Sequence, residues 1–185
     1  MSLDNIMDMT DCTLCPRSCR ANRAGGEVGY CKEDAELYAA RAALYFDEEP
    51  VISGRHGCGA VFFSGCNMGC VYCQNYAIAK AMSGMKIEPE RLSEIFLELQ
   101  DQNAENINLV TPSHYLYLII PAIEKAKRQG LSIPVVYNTG TYERVEAVKA
   151  LPARTGQAEP CRPAAGGLLR IHGVLRLPEA GLQPC

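Results

Sequence analysis

Three cysteines within eight residues, Cys66-x3-Cys70-x2-Cys73, constrain this chain more than any other feature. Thiols so close in sequence cannot be spread through a core; a loop gathers them around one centre. Soft thiolate ligands suit an iron–sulfur cluster or zinc. The count of three favours the cluster. A structural zinc site calls for a fourth ligand nearby, whereas a cubane held by three cysteines leaves one iron open to a small molecule. Gly65 and Gly69 stand immediately before the first two cysteines and permit the tight backbone such a loop requires.

The rest of the composition narrows the setting. At 185 residues the chain is one domain long on a prior of about 150, and 48% hydrophobic residues suffice for one core. Lys and Arg number 18 against 21 Asp and Glu, so no net positive charge serves a nucleic acid. No apolar run reaches the roughly 18 to 20 residues of a membrane helix, and Met1-Ser2-Leu3-Asp4-Asn5 does not read as a secretion signal. A cytoplasmic protein without nucleic-acid or membrane partners is expected. There, ten cysteines, eight of them before Tyr76, are metal ligands or free thiols rather than a disulfide framework.

Three regions follow. Residues 1–45 form a Cys-rich metal-binding segment with a short helix expected near Glu33–Tyr38. Residues 46–150 carry strand candidates at 59–64, 106–110 and 133–137, with Pro134 at the start of the last. Helical patterns follow each. Leu92, Ile95, Phe96 and Leu99 share one face, with Pro89 in the first turn. A second helix opens at Thr111-Pro112, stops at Gly130 and is interrupted by Pro121. A third is capped by Thr141, with Glu143 early and Lys149 late. Three strand–helix units read as α/β with a parallel sheet. Residues 151–185 break the rhythm: five Pro, five Gly, five Ala and four Arg, but no Lys, Asp, Asn or aromatic residue. That bias is what an out-of-frame reading of a GC-rich gene yields. The expectation is an irregular tail from a frameshifted or truncated product, aggregation-prone and weak in turnover, with a natural short variant as the alternative.

Ser64-Gly65-Cys66-Asn67-Met68-Gly69-Cys70-Val71-Tyr72-Cys73-Gln74-Asn75 resembles the cluster loop of radical S-adenosylmethionine enzymes. The chain is similar to homologues of pyruvate formate-lyase activating enzyme whose own substrate is unassigned. The likeness extends over Cys12-x2-Cys15-Pro16-Arg17-x-Cys19 with Asn22, Arg23, Gly29 and Cys31, then residues 106–115, then 135–139. It implies a partial radical-SAM-type (β/α) barrel, a 4Fe-4S cluster on Cys66, Cys70 and Cys73, and S-adenosylmethionine on the open iron. Reductive cleavage would give a 5′-deoxyadenosyl radical that abstracts hydrogen, and the activating-enzyme likeness implies a glycyl radical installed on a protein substrate. Reducing partners of the flavodoxin or ferredoxin type are implied.

The resemblance also assigns cofactor contacts. Tyr72 takes the position beside the adenine, with a packed tyrosine as the alternative. Thr111-Pro112-Ser113-His114 stands where many radical enzymes have Gly-Gly-Glu, so the group replacing that glutamate stays open among Thr111, Ser113 and His114. His114 is either a ligand-facing donor or a first-turn helix residue. Asn138 matches a ribose contact, against plain strand-end hydrogen bonding. Cys12, Cys15, Cys19 and Cys31, spaced Cys-x2-Cys-x3-Cys-x11-Cys, read as a four-thiolate set for a second iron–sulfur cluster or zinc, with disulfides or free thiols as the remaining alternative. Cys58 reads as a packed thiol, Cys161 and Cys185 as free, and Arg55 and His56 as solvated loop residues. A non-catalytic cysteine-rich metal-binding or electron-transfer module is the competing class.

Overall fold

The computed structural model of the chain describes residues 7–80, 83–155, 159–160 and 173–177. Its centre is β2 (Cys58–Phe63), six residues without a charge and buried throughout. A strand covered on both faces has no reason to alternate polar and apolar residues. It pairs in parallel with β4 (Ile107–Val110), from Gly59↔Ile107 to Phe62↔Val110. β4 in turn pairs in parallel with β5 (Val135–Thr139), from Ile107↔Val135 to Val110↔Asn138. Pro134 lies just before β5, where its carbonyl accepts from the Ile107 N–H at 2.8 Å and its missing donor costs no ladder bond.

The remaining strands are antiparallel. β1 (Leu37–Tyr45) flanks β2, with a register shift between Ala39 and Arg41, and β3 (Met85–Ile87) flanks β1. On the far side, β7 (Gly173–Leu177) pairs with β5 and β6 (Glu159–Pro160) with β7. The order β3-β1-β2-β4-β5-β7-β6 makes a mixed sheet. The α/β class stands; a barrel is not shown.

Helices are α1 (Pro50–Ser53), α2 (Tyr76–Ala79), α3 (Pro89–Asp101), α4 (Leu116–Arg128) and α5 (Val145–Thr155). Leu92, Phe96 and Leu99 of α3 and Ile119 and Ile123 of α4 close over Val61, Phe63 and Leu109 of the sheet. A second cluster joins Leu116 and Ile120 of α4, Tyr137, and Ala147 and Leu151 of α5 to Met9, Cys12 and Leu14 of the N-terminal segment.

Several local expectations change. Glu33–Tyr38 is not helical: Leu37 and Tyr38 open β1, where they pair with Ile87 and Lys86 of β3 instead of coiling alone. The second helix begins with a 3-10 turn at Ser113–Tyr115 and runs through Pro121 as one α segment. Thr141 does not cap α5. Its backbone is left-handed at φ 64°, its hydroxyl donates to the Gly140 carbonyl, and the helix starts later, with Glu146 in its first turn. The tail expected from residue 151 starts instead as the last turn of α5, and residues 173–177 form a strand rather than irregular chain. Cys161 and Cys185 lie outside the described residues.

Candidate cluster site and cofactor pocket

Parallel strands put their C-terminal ends, and the loops that follow, at one edge of a sheet. Here the loop after β2 carries the cysteine triplet, the one after β4 carries Thr111, and the one after β5 carries Gly140. They border a cavity of about 920 Å³ that Cys66, Cys70, Cys73, Tyr72, Thr111 and Asn138 all line.

The triplet loop is held by its backbone. Gly65 has φ 78°, and a Cβ there would stand 2.5 Å from Glu33 Cγ and 2.6 Å from the Cys31 carbonyl oxygen. Gly69 has φ 74° and lies against the Lys80 ammonium. Only glycine takes both the hand and the approach without strain. The Cys66 N–H donates to the Cys31 carbonyl at 3.2 Å. Arg17 donates from Nε to the Asn67 carbonyl and from Nη2 to the Met68 carbonyl, each at 2.9 Å. Its guanidinium lies 3.9 Å from the centre of the Tyr30 ring and 5.0 Å from that of Tyr142. Asn67 Nδ2 donates to the Tyr142 carbonyl at 2.9 Å.

All three cysteines are free thiols, Cys70 exposed and the other two half-buried. Reachable thiols on one glycine-bent loop at a cavity mouth fit an iron–sulfur cluster by donor chemistry. Those three residues would hold it. Tyr72, 94% exposed, sits on the cavity rim instead of in the core.

The structure separates the other predicted contacts. Thr111 reaches the cavity at φ 57°. Asn138 Nδ2 donates to Glu48 Oε1 at 3.4 Å, and Asn108 Nδ2 donates to the same oxygen at 3.1 Å. Ser113 and His114 do not line the cavity. The Ser113 hydroxyl donates to Glu143, which also accepts from the Thr139 hydroxyl; burial raises the Glu143 pKa, and these donors oppose that shift. His114 is 2% exposed, with Nε2 2.6 Å from the Ser64 carbonyl. Since that carbonyl can only accept, Nε2 carries the proton. Burial pushes the His114 pKa down to about 3, so the ring is neutral. It braces the end of β2 from inside, in the manner of its first-turn alternative.

Cys58 is fully buried and accepts from Asn108 Nδ2 at 3.7 Å, as a packed thiol should. His56 is exposed and meets Glu105 at 2.9 Å. The sequence reading gave no site role to Arg17, Glu33, Glu48 or Glu143. Arg17 had a signal in its place between Cys15 and Cys19. Glu48 had only a run of three acids, Asp47-Glu48-Glu49, that reads as solvated surface.

Comparison with known proteins bears on the triplet directly. Residues 53–152 match the family model described as a 4Fe-4S single cluster domain. The chain belongs to that family. As a 4Fe-4S single cluster domain it has its three free pocket-lining thiols inside the matched span. An uncharacterized protein of Methanocaldococcus jannaschii is 30% identical over 150 residues, covering 76% of this chain and 42% of that protein. The chain thus spans less than half the length of this curated relative. No solved structure matches it. Among the described residues no helix is long and apolar enough to cross a membrane.

Proposed function

We propose that this 4Fe-4S domain works as a radical S-adenosylmethionine protein, with β2, β4 and β5 as the parallel part of a (β/α) barrel. One observation carries the reading: a three-thiol loop opens onto a cavity of about 920 Å³ bounded by the ends of three parallel strands. Three protein ligands leave a cluster one site for a small molecule, and the cavity offers that molecule room.

A cluster held by these thiolates would supply the electron for reductive cleavage of the sulfonium C–S bond, which would yield methionine and a 5′-deoxyadenosyl radical. The chain's own residues bind and orient. Cys66, Cys70 and Cys73 serve as thiolate ligands. Asp47, Glu48 and Glu49 line the cavity and favour a ligand that carries sulfonium and ammonium charges. Arg41 on the same lining is the cation available to a carboxylate. Asn138 and Thr111 line the cavity and would offer polar groups to a ribose, and Tyr72 at the rim would offer an aromatic face. Ser113 and Glu143 act one layer back, tying the loop after β4 to the segment after β5. His114 holds the Ser64 carbonyl at the root of the cluster loop.

Hydrogen abstraction from a protein, of the glycyl-radical-activating type, is the proposed use of the radical, with a flavodoxin or ferredoxin as reductant. The non-catalytic electron-transfer module needs no such cavity beside its ligands. The test is anaerobic reconstitution, followed by dithionite and S-adenosylmethionine. Release of 5′-deoxyadenosine above a cluster-free control is expected; a reduced, fully loaded protein that releases none refutes the reading.

A further inference from the structure

We propose that Cys12, Cys15, Cys19 and Cys31 form a second metal site, a closed four-thiolate centre that fastens the N-terminal segment beneath the cluster loop. It lies outside residues 53–152, the span of the single-cluster family model, and it stands apart from the reading of the triplet.

The fold brings these four side chains together from three turns. Arg20, next to Cys19, donates its N–H to the Cys12 carbonyl at 3.0 Å, and Ser18, on the other side of Cys19, donates its N–H to the Cys15 carbonyl at 3.0 Å, so the backbone folds Cys12, Cys15 and Cys19 onto one another. A point just off the Gly29 backbone is 3.3 Å from Cys19 Sγ and 3.4 Å from Cys31 Sγ, so both sulfurs point at the same small space. No disulfide joins any of the four.

The backbone around them is bent for this purpose. Ser18 and Arg20, on either side of Cys19, have φ of 42° and 57°, and Lys32, after Cys31, has φ 73°. Left-handed backbone is disfavoured for these residues, and three cases beside two cysteines require something that holds them there. Apolar packing reaches only one end of the segment: Met9, Cys12 and Leu14 join the body, while Cys15 is half-buried and Cys19 exposed. A metal centre supplies the missing constraint, as in other small segments that fold around their ligands. Among the described residues no three Cys, His, Asp or Glu side chains already stand at single-ion geometry, so binding requires the backbone that carries these cysteines to draw them closer around the metal.

Charge and connection support the assignment. Four thiolates around a divalent zinc or a 2+ cubane leave net negative charge. Buried Arg23, with Nη1 4.0 Å from Cys12 Sγ, offsets part of it. Four protein ligands leave no open position, the mark of a structural role. The centre would also act on the triplet loop: the Cys31 carbonyl receives the Cys66 N–H, and Arg144 donates to the Cys15 carbonyl at 3.4 Å and to Ser18 Oγ at 2.6 Å.

Metal and sulfide content of the anaerobically purified full chain tests this. Two variants are compared with wild type: C66A/C70A/C73A, and C15S/C19S, whose serines fall at the more exposed positions. The triplet variant should retain either about one zinc without sulfide or about four iron with sulfide per chain, which also tells the two chemistries apart. C15S/C19S should lose that metal and keep the iron of the triplet. A metal-free triplet variant, or C15S/C19S with the zinc and iron of wild type, overturns the proposal. Should C15S/C19S not fold, alkylation of wild type decides. Cys12, Cys15, Cys19 and Cys31 should be protected together and become reactive together after chelation; equal labelling of Cys15 and Cys19 before and after chelation overturns it.

Discussion

Adding one methyl group to Gly65 should dislodge the cluster loop, and two other glycines calibrate the cost. Gly65, Gly69 and Gly130 all have positive φ, at 78°, 74° and 109°. An alanine in left-handed backbone loses about 1 to 2 kcal/mol at any of them. The surroundings then separate the three. Nothing lies within 4 Å of a Cβ at Gly130, so Gly130→Ala costs the backbone term alone. At Gly69 the nearest atom, at 2.6 Å, is the mobile end of Lys80, which can swing away. At Gly65 the methyl meets Glu33 Cγ at 2.5 Å and the Cys31 carbonyl at 2.6 Å. Glu33 is buried and the carbonyl is held by the Cys66 N–H, so neither yields easily. Overpacking of this kind adds about 1 to 3 kcal/mol, for a total of about 2 to 5 kcal/mol. With a urea slope of about 2 kcal/mol per molar, Gly65→Ala should lower the midpoint by about 1 to 2.5 M. Gly130→Ala should lower it by about 0.5 to 1 M, with Gly69→Ala close to the latter. Iron retention after reconstitution should fall only for Gly65→Ala. Equal midpoints for Gly65→Ala and Gly130→Ala, at unchanged slope and full iron content, would refute the reasoning.

Further outcomes follow from the same geometry. Cys66→Ala, Cys70→Ala and Cys73→Ala should each abolish the paramagnetic signal that shifts on adding S-adenosylmethionine; its survival in all three excludes the triplet as the binding loop. Arg17→Lys cannot reproduce two donors to the Asn67 and Met68 carbonyls, so iron should be stripped several-fold faster by a chelator, with a stability loss of about 1 kcal/mol. For His114, a folded pKa of about 3 lies below the unfolded value of 6.5. Its neutral form therefore favours folding above pH 6.5, and this advantage is lost as pH falls from 6.5 toward 3. His114→Gln, which keeps an amide donor, should become more stable relative to wild type by about 2 kcal/mol between pH 7.5 and pH 5. A pH-independent difference would show that the ring titrates normally.

Much of the site was legible because ligand spacing is a local property. Three thiols on a glycine-bearing loop must meet whatever the fold around them, and the uncharged run of β2 announces a strand buried on both faces. The faces of α3 and α4, and the place of Pro134 before β5, follow from periodicity and a missing donor in the same way. What a residue faces across the chain has no such signature. His114 and Thr111 are three residues apart, yet one, in a 3-10 turn, is sealed behind Ser64, and the other, in left-handed backbone before that turn, opens on the cavity. Leu37 opens a strand only because β3 offers it Ile87 as a partner. Arg17 reaches a loop 50 residues away, and Glu48 becomes a pocket carboxylate only when Asn108 and Asn138 arrive from two other strands. The sequence by itself determined the cysteine triplet on its glycine-bearing loop and the buried strands, whose chemistry is contained in a few consecutive residues. Tertiary structure alone decided which polar groups surround them, since hydrogen bonds and burial are set by neighbours that only folding brings near.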